Sequence, residues 1–454
     1  MNLFIILSLL KMLRGVRKRE GWTKRELEEH QSSALKHLRE YVYAHSPFYR
    51  KFHKGLFDAP MGELPVLTKT MLMENFDELV TDRSIRLEEV KRHVTIAKGG
   101  DRFLGRYWVT ATSGSTGRPG LFLYNRTEWV TVLSSFARAY EWAGFRARLT
   151  RRRKMAMVAS TSPWHMSSMV GATLRSSWMP ALRLSASEPV EAVVERLNAW
   201  LPEILVAYPS VARILADEQC AGRLRIYPEI VFTSAEVLTD ETRRRVELAW
   251  GKQPFNQYAV TETGGLAAEC GRHRGLHIFE DTVFTEIVDG DNRPVPPGAY
   301  GEKLLVTVLF NRTQPLIRYE LSDSVRAAAG PCPCGLQYAF IDGIQGRKEE
   351  VLYFPSPKGG KVAVHPIVFH RLLDSVPVGG WQVVRDTEGL KILLCGAHEG
   401  FSDERLETEV RRALSAQGAV MPPVKVVRVK AIPQTASGKA PLIKSNVALP
   451  GPPI

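Results

Sequence analysis

Four hydroxyls and two glycines fall within six residues, Thr112 to Gly117, inside the stretch Thr110-Ala111-Thr112-Ser113-Gly114-Ser115-Thr116-Gly117-Arg118-Pro119-Gly120. A loop of these residue types can turn successive backbone N–H groups toward one point. Glycine accepts positive φ without steric cost, and the hydroxyls add donors. Such a loop suits a polyphosphate. It is not a Walker loop, because no Gly-Lys-Ser/Thr follows and no helix opens directly behind it. Taken alone it also fits an ordinary Ser/Gly surface loop, and residues further along must decide. Those residues are Glu262 within Gln257-Tyr258-Ala259-Val260-Thr261-Glu262-Thr263-Gly264, Asp323 after Arg318-Tyr319, and Lys439 after Ser437-Gly438. A second constellation is Cys332-Pro333-Cys334-Gly335 together with Cys270 and either His273 or His277. Three thiolates and one imidazole make a tetrahedral zinc set, although Cys-x-Cys is tighter than the usual knuckle. Cys220 and Cys395 read as small core or surface residues.

These groups need a scaffold to bring them together. Tyr107 to Val109 and Leu121 to Tyr124 read as short strands flanking the hydroxyl loop. Beyond them, helical and strand patterns alternate: a helix over 127–145, a strand over 155–159, a helix over 189–201, a strand over 204–207, a helix over 210–216, a strand over 230–233 and a helix over 239–250. This alternation predicts a parallel sheet covered on both faces, with ligands outside the carboxyl ends of its strands. After Gly265 the pattern turns antiparallel, with strands over 282–288 and 303–308. From about Glu349 the chain reads as a small α+β unit, with a hairpin around Asp386-Thr387-Glu388-Gly389. Thr23-Lys24-Arg25-Glu26 is a capping box that opens an N-terminal helix, and Ser46-Pro47 closes it. The predicted fold class is α/β. A large N-terminal domain has mixed or parallel sheets covered by helices, and a small mobile C-terminal α+β domain follows.

Composition narrows the function classes. The chain has 454 residues, 44% hydrophobic and 24% charged, as in globular proteins with a sizeable core. The net charge of +13 is spread, and no zinc-finger spacing or basic zipper accompanies it, so nucleic acid is not the expected partner. The basic clusters Lys11 to Arg25 and Arg146 to Lys154 read as solvated faces, or as sites for an anionic substrate or an acidic partner. Five cysteines do not form a secreted disulfide framework, and a reducing cytoplasm fits. Asn2 to Leu10 is apolar but too short to span a bilayer. The segment from Phe4 to Leu13, followed by Arg14, Arg17, Lys18 and Arg19, would fit a peripheral membrane, carrier-protein or subunit contact.

The ordered set of hydroxyl loop, Tyr258-Ala259-Val260-Thr261-Glu262, Arg318-Tyr319 to Asp323, Gly346-Arg347 and Ser437-Gly438-Lys439 resembles the acyl-adenylate-forming superfamily. More narrowly, it resembles the branch of phenylacetate–coenzyme A ligases and their capsule-cluster, CapK-like relatives. The resemblance covers nearly the whole chain from about Thr23. It implies ATP-dependent activation of a carboxylate with release of pyrophosphate, then transfer of the acyl group to coenzyme A. It implies Mg2+ as cofactor. It also implies an adenylation domain over residues 1–348 and a lid over 349–454, hinged at Glu349.

By the same resemblance, Thr112, Ser113, Gly114, Ser115, Thr116 and Gly117 hold the β- and γ-phosphates. Ala235 and Glu236 lie beside the adenine, preceding Gln257 in the nucleotide site, and Tyr258 stacks on the base. Thr261 reaches the α-phosphate, and Glu262 holds magnesium. Asp323 accepts from the ribose hydroxyls, Arg347 assists at ribose or phosphate, and Lys439 is the mobile catalytic lysine. Trp164, His165 and Tyr208 border the acyl pocket. Relatives in this branch carry a structural zinc with its histidine in a Gly-Leu-His step, which selects His277 beside Cys270, Cys332 and Cys334. One departure stands out. The commonest form of the loop ends in lysine after the proline, and here Gly120 occupies that place.

Two other readings share the sequence. An adenylate-forming ligase could pass its acyl group to an amine, a carrier-protein thiol or a hydroxyl instead. A zinc-stapled nucleotide- or nucleic-acid-binding protein would need no catalysis, but Glu262, Asp323 and Lys439 argue against it. The acid, the pathway and the oligomeric state are not readable from the sequence, and a homodimer is one open arrangement.

Overall fold

The computed structural model describes the chain except residues 1–2, 97–99, 113–118, 146–151, 175–178, 348–349, 358, 365, 374–375, 377, 399, 421, 436–438 and 448–454. The N-terminal helices are α1 (Leu3–Glu20), α2 (Lys24–His45), α3 (Pro47–Phe52), α4 (Lys69–Glu74), α5 (Phe76–Leu79) and α6 (Leu87–Ile96). Thr23 caps α2 through a complete capping box with Glu26. Ser46 ends that helix, and its hydroxyl accepts from the Tyr49 N–H to start α3. A hairpin of β1 (Trp108–Ala111) and β2 (Leu121–Tyr124) leads into α7 (Arg126–Trp142).

The alternating region follows: β3 (Met155–Ala159), α8 (Met166–Thr173), β4 (Ala181–Ser185), α9 (Val190–Trp200), β5 (Ile204–Ala207), α10 (Pro209–Cys220), β6 (Ile230–Ser234), α11 (Asp240–Trp250) and β7 (Phe255–Val260). The neighbouring pairs among β4, β3, β5, β6 and β7 are all parallel. The chain then continues as β8 (Gly264–Glu269), β9 (Leu276–Ile278), β10 (Val283–Val288), β11 (Lys303–Val308), β12 (Tyr319–Leu321), β13 (Asp323–Ala327) and β14 (Phe340–Arg347). Four of these join the same sheet antiparallel, giving nine strands in the order β13-β14-β9-β8-β7-β6-β5-β3-β4. The strands β10, β11 and β12 form a separate sheet.

Sequence patterning missed β4 and α8. The strand β4 lies at the sheet's edge with only Leu184 buried, so it lacks the continuous apolar run that marked its neighbours. Between the sheet and α7 the packing is very close. A side chain at Gly264, which has φ +76°, would strike Val132, and the Gly265 N–H donates to the Ser135 hydroxyl at 2.9 Å.

The C-terminal part comprises β15 (Leu352–Pro355), β16 (Lys361–Val364), α12 (Pro366–Leu373), β17 (Gly380–Arg385), β18 (Leu390–Cys395), α13 (Asp403–Ala416), β19 (Val424–Val429) and β20 (Ile443–Ser445). Its sheet has the order β19-β18-β17-β20, and its core is its own, built around Phe354, Phe369, Trp381 and Val410. The mixed sheets, covering helices and C-terminal α+β unit agree with the α/β class read from the sequence.

A buried ion-pair network fixes α1 against α7. Both guanidinium arms of Arg138 donate to Asp281, at 2.8 and 2.6 Å, and Arg19 of α1 donates to the same carboxylate at 2.7 Å. Trp142 of α7 donates to Glu20 of α1 at 3.0 Å. Burial acts to raise the Asp281 carboxyl pKa, but the Arg138 and Arg19 charges and hydrogen bonds outweigh it and hold it at about 2. Its contribution is therefore present above the usual carboxylate range and lost as pH falls through about 2. Asp281→Asn should lower unfolding stability by about 3–5 kcal/mol, because it strands a buried arginine charge. Urea denaturation at neutral pH measures this. A loss below about 1 kcal/mol, the value of a surface pair, would show that the network is not holding the helix.

Candidate active site and zinc cluster

The carboxyl ends of the parallel strands β3, β5, β6 and β7 border one cavity of about 560 Å³. Ala159 from β3, Ala207 and Tyr208 from β5, Ser234 and Ala235 from β6, and Val260 and Thr261 from β7 line it. This is where open parallel sheets place ligands. Thr112, Glu262, Asp323, Arg347 and Lys439 line the same cavity, so groups spread over more than three hundred residues of chain meet there.

Thr112 closes the base of the hydroxyl loop. Its hydroxyl accepts from the Gly120 N–H at 2.7 Å, and its own N–H donates to the Gly120 carbonyl at 3.0 Å. Ser113, Gly114, Ser115, Thr116 and Gly117 lie outside the described residues, as do Glu349 and the pair Ser437 and Gly438. The Thr261 carbonyl is fixed by the Tyr124 hydroxyl at 2.6 Å. Glu262 is buried, and burial raises its pKa. Tyr319 faces it from β12, with its hydroxyl 3.5 Å from a carboxylate oxygen. Glu262 sits in a turn between the strands β7 and β8.

Asp323 opens β13 and Arg347 closes β14, directly opposite in register. Their side chains pair at 3.5 Å, and the Asp323 charge is the first cause raising the Arg347 pKa. Lys439 enters from the C-terminal part. Its Nζ lies 5.7 Å from the centre of the Tyr208 ring. Burial lowers its pKa, and the Arg347 charge adds to that. His165 is likewise lowered, by burial first and then by Lys439.

Several residues stand differently from their sequence reading. Trp164 does not line the cavity. It belongs to the main core, where its ring meets His93 edge-on at 5.6 Å, because the turn after β3 points its neighbour His165 inward instead. Glu236 also turns away from the cavity. Its carboxylate accepts from the Ser210 N–H at 3.0 Å and the Ala440 N–H at 3.3 Å, tying α10 to the residue after Lys439. Tyr258 packs against the main core behind the wall. Burial, then the Asp323 charge, raise its pKa well above the ordinary phenol value. Gln257 and Ala235 do line the cavity, and Ala235 holds a left-handed φ of 72°. Arg318 is a structural pin. It reaches Glu286 at 3.0 Å and donates to the carbonyls of Gly62 and Leu64.

That pin positions a residue the sequence reading passed over. Leu67 pairs with Tyr319 through Leu67 N–H to Arg318 O and Glu320 N–H to Leu67 O, both at 3.0 Å. Thr68 then caps α4, and Lys69, its first residue, lines the cavity. Its Cε lies 3.4 Å from where a Cβ at Gly120 would stand, and its charge lowers the Glu262 pKa. An ammonium group is thus delivered close to the loop position that lacks its lysine. A lone lysine at a helix start gave no signal in the sequence.

Away from the cavity, Cys270, His277, Cys332 and Cys334 place their ligand atoms within 4.8 Å of one another. Cys270 and Cys332 sulfurs are 3.8 Å apart, and His277 Nε2 is 3.3 Å from the Cys334 sulfur. Edges of that length match a tetrahedron with metal–sulfur bonds of about 2.3 Å. Burial, with the neighbouring sulfurs, pushes the Cys270 thiol up to about 12, an environment that a bound dication would reverse. His273 is outside the cluster and faces Glu269 at 3.2 Å.

The fold and this site resemble those of acyl-adenylate-forming enzymes. It is 27% identical over 389 residues to phenylacetate–coenzyme A ligase of Thermus thermophilus, covering 82% of this chain and 80% of that one. It is 24% identical over 317 residues to protein CapK of Staphylococcus aureus, covering 66% of this chain and 63% of that one. Among solved structures it is similar to 2-hydroxyisobutyryl-CoA ligase in the postadenylation state in complex with an acyl-AMP. The TM-score is 0.74 and the identity 21%, covering 95% of this chain and 92% of that one. No protein-family model matches the chain. No helix among the described residues is long and apolar enough to cross a membrane.

Proposed function

We propose that the chain joins a carboxylic acid to coenzyme A at the expense of ATP. A carboxylate oxygen attacks the α-phosphorus, the bond to the β-phosphate oxygen breaks, and pyrophosphate leaves. The coenzyme A sulfur then attacks the acyl carbon, its proton is lost, and AMP departs. The observation that carries this reading is the meeting of Lys439, Glu262, Asp323 and Thr112 around one cavity at the carboxyl edge of a parallel sheet.

The chain's own groups divide the work. The loop over 112–117 and the Lys69 ammonium would bind the β- and γ-phosphates. Thr261 would touch the α-phosphate, and Asp323 would accept from the ribose hydroxyls, steadied by Arg347. Lys439 would approach the α-phosphate and the attacking carboxylate, offsetting the charge that gathers between two anions. Magnesium fits Glu262, a buried carboxylate whose ionised form a hard cation would favour, and when bound it would neutralise the departing pyrophosphate. Residues 1–348 would hold the nucleotide while 349–454 turn as a lid about Glu349. The cysteine–histidine cluster would hold a structural zinc with no part in the chemistry. The outward edge of α1, where Phe4, Leu7 and Leu10 are exposed, would offer a peripheral contact in a cytoplasmic enzyme.

ATP–pyrophosphate exchange across a panel of carboxylic acids tests the first step. Supplying coenzyme A, then amines, tests the second. Exchange without thioester formation would move the assignment to another acyl acceptor. Absence of exchange with any acid, together with salt-sensitive DNA binding, would leave a nucleotide- or nucleic-acid-binding protein. Lys69→Ala should raise the KM for ATP and lower kcat/KM for exchange by about 10²-fold. An unchanged KM for ATP would remove Lys69 from the phosphate site.

A further inference from the structure

We infer that the acid this enzyme activates is elongated and apolar, with its tail lying along the N-terminal helix α1. This rests on the adenylation reading above and names its substrate class. The cavity continues well past the polar end formed by Lys439, Glu262 and Thr261. Both ends of β3, Met155 and Ala159, line it, and so do Phe136 and Tyr140 on successive turns of α7. A five-residue strand is about 13 Å long, so the cavity is deeper than a phenylacetyl group is long. Ile6, Leu9, Leu10 and Leu13 of α1 form a further wall, a seam of about 10 Å along the helix axis.

The chemistry of that seam is specific. Its residues from α1 are all aliphatic, and Met157, Met166 and Met179, whose side chains adapt to a flexible chain, line the same cavity. Arg153 at the far end pairs with Glu203 at 2.9 Å and also with Glu229, and Glu141 accepts from Arg17 at 2.9 Å. Those charges are engaged with protein partners, and Arg183, which also lines the cavity, stands beside Gly171, so it is the stretch along α1 that is matched to hydrocarbon. The helix is also held unevenly. The anchors to Asp281, Glu141 and Trp142 all come from residues 17–20, while in the other half Arg126 lies over the Phe4 ring at 4.8 Å and the leucines pack through apolar contacts. Leu10 lines the cavity and is half exposed, which places an edge of the cavity at this helix.

Exchange on the full chain with acetate, hexanoate, decanoate and phenylacetate tests the inference. We expect kcat/KM to rise by about fourfold per added methylene up to the limit set by α1, the gain from moving one CH2 out of water. Leu13→Trp should cut the decanoate rate by at least about tenfold while changing hexanoate much less. Leu10→Trp, at a half-exposed position, should do the same more weakly and guards against misfolding of the first variant. A flat chain-length profile, a preference for acetate, or equal loss for every acid in both variants would overturn the inference while leaving adenylation intact. Failure of all acids in the unaltered enzyme would overturn adenylation and the inference together.

Discussion

Replacing Lys439 by alanine should abolish ATP–pyrophosphate exchange and largely spare thiolysis of a preformed acyl-adenylate. The group approaches the cavity from the C-terminal part, and among the described residues it alone lines the cavity from there. Loss of one charge aimed at a transition state costs about 10²–10³-fold, and here two anions are being brought together, so the larger figure is expected. In the second half-reaction the thiol sulfur attacks the acyl carbon and AMP leaves as an anion, with no anion attacking phosphorus and so no equal need for this ammonium. The pH profile provides a second readout. Burial and Arg347 lower the Lys439 pKa, so the free enzyme should lose its cation as pH rises through a value below the ordinary lysine one. The alkaline limb of kcat/KM for exchange should therefore lie below that of a free lysine, and Lys439→Arg should move it upward. Equal loss of both half-reactions in the alanine variant would show the role to be misassigned.

Cys332→Ser should remove one equivalent of zinc per chain and lower the melting temperature by on the order of 5–10 °C, corresponding to several kcal/mol. The cluster joins the end of β8, the strand β9 and the loop before β14, which are neighbours in the large sheet. Those strands lead on to Arg347, and β13 beside them begins at Asp323. Zinc loss should therefore weaken ATP binding as a secondary effect, through the ribose end of the cavity. Metal analysis of the purified chain and of the variant decides this. A fully folded, metal-free preparation with unchanged melting would rule the zinc out.

The sequence made the strand–helix alternation legible because buried parallel strands are continuous apolar runs. The edge strand β4 carries Arg183 and is only partly buried, so it left no such trace. Thr112, Glu262, Asp323 and Lys439, which line the cavity, stood out in the sequence because they belong to short ordered motifs. Lys69 and the α1 leucines did not, because their proximity to the cavity is set by tertiary packing: the Leu67–Tyr319 bridge in one case and the Arg138–Asp281 network in the other. Trp164 and Glu236 show the reverse limit. Their neighbours His165 and Ala235 line the cavity and they do not, because side-chain direction at a turn follows from the local backbone and the partners available. Trp164 found His93, and Glu236 found two backbone N–H groups.

Gly120 carries a consequence for how this lineage can change. A side chain there would meet the Phe122 ring at 2.9 Å and the Lys69 stem at 3.4 Å. Restoring the familiar loop lysine would displace that aromatic ring, while the Lys69 stem stands at ordinary contact distance. Grafting the common loop into this background should therefore impair it, and a smaller side chain in place of Phe122 should rescue it.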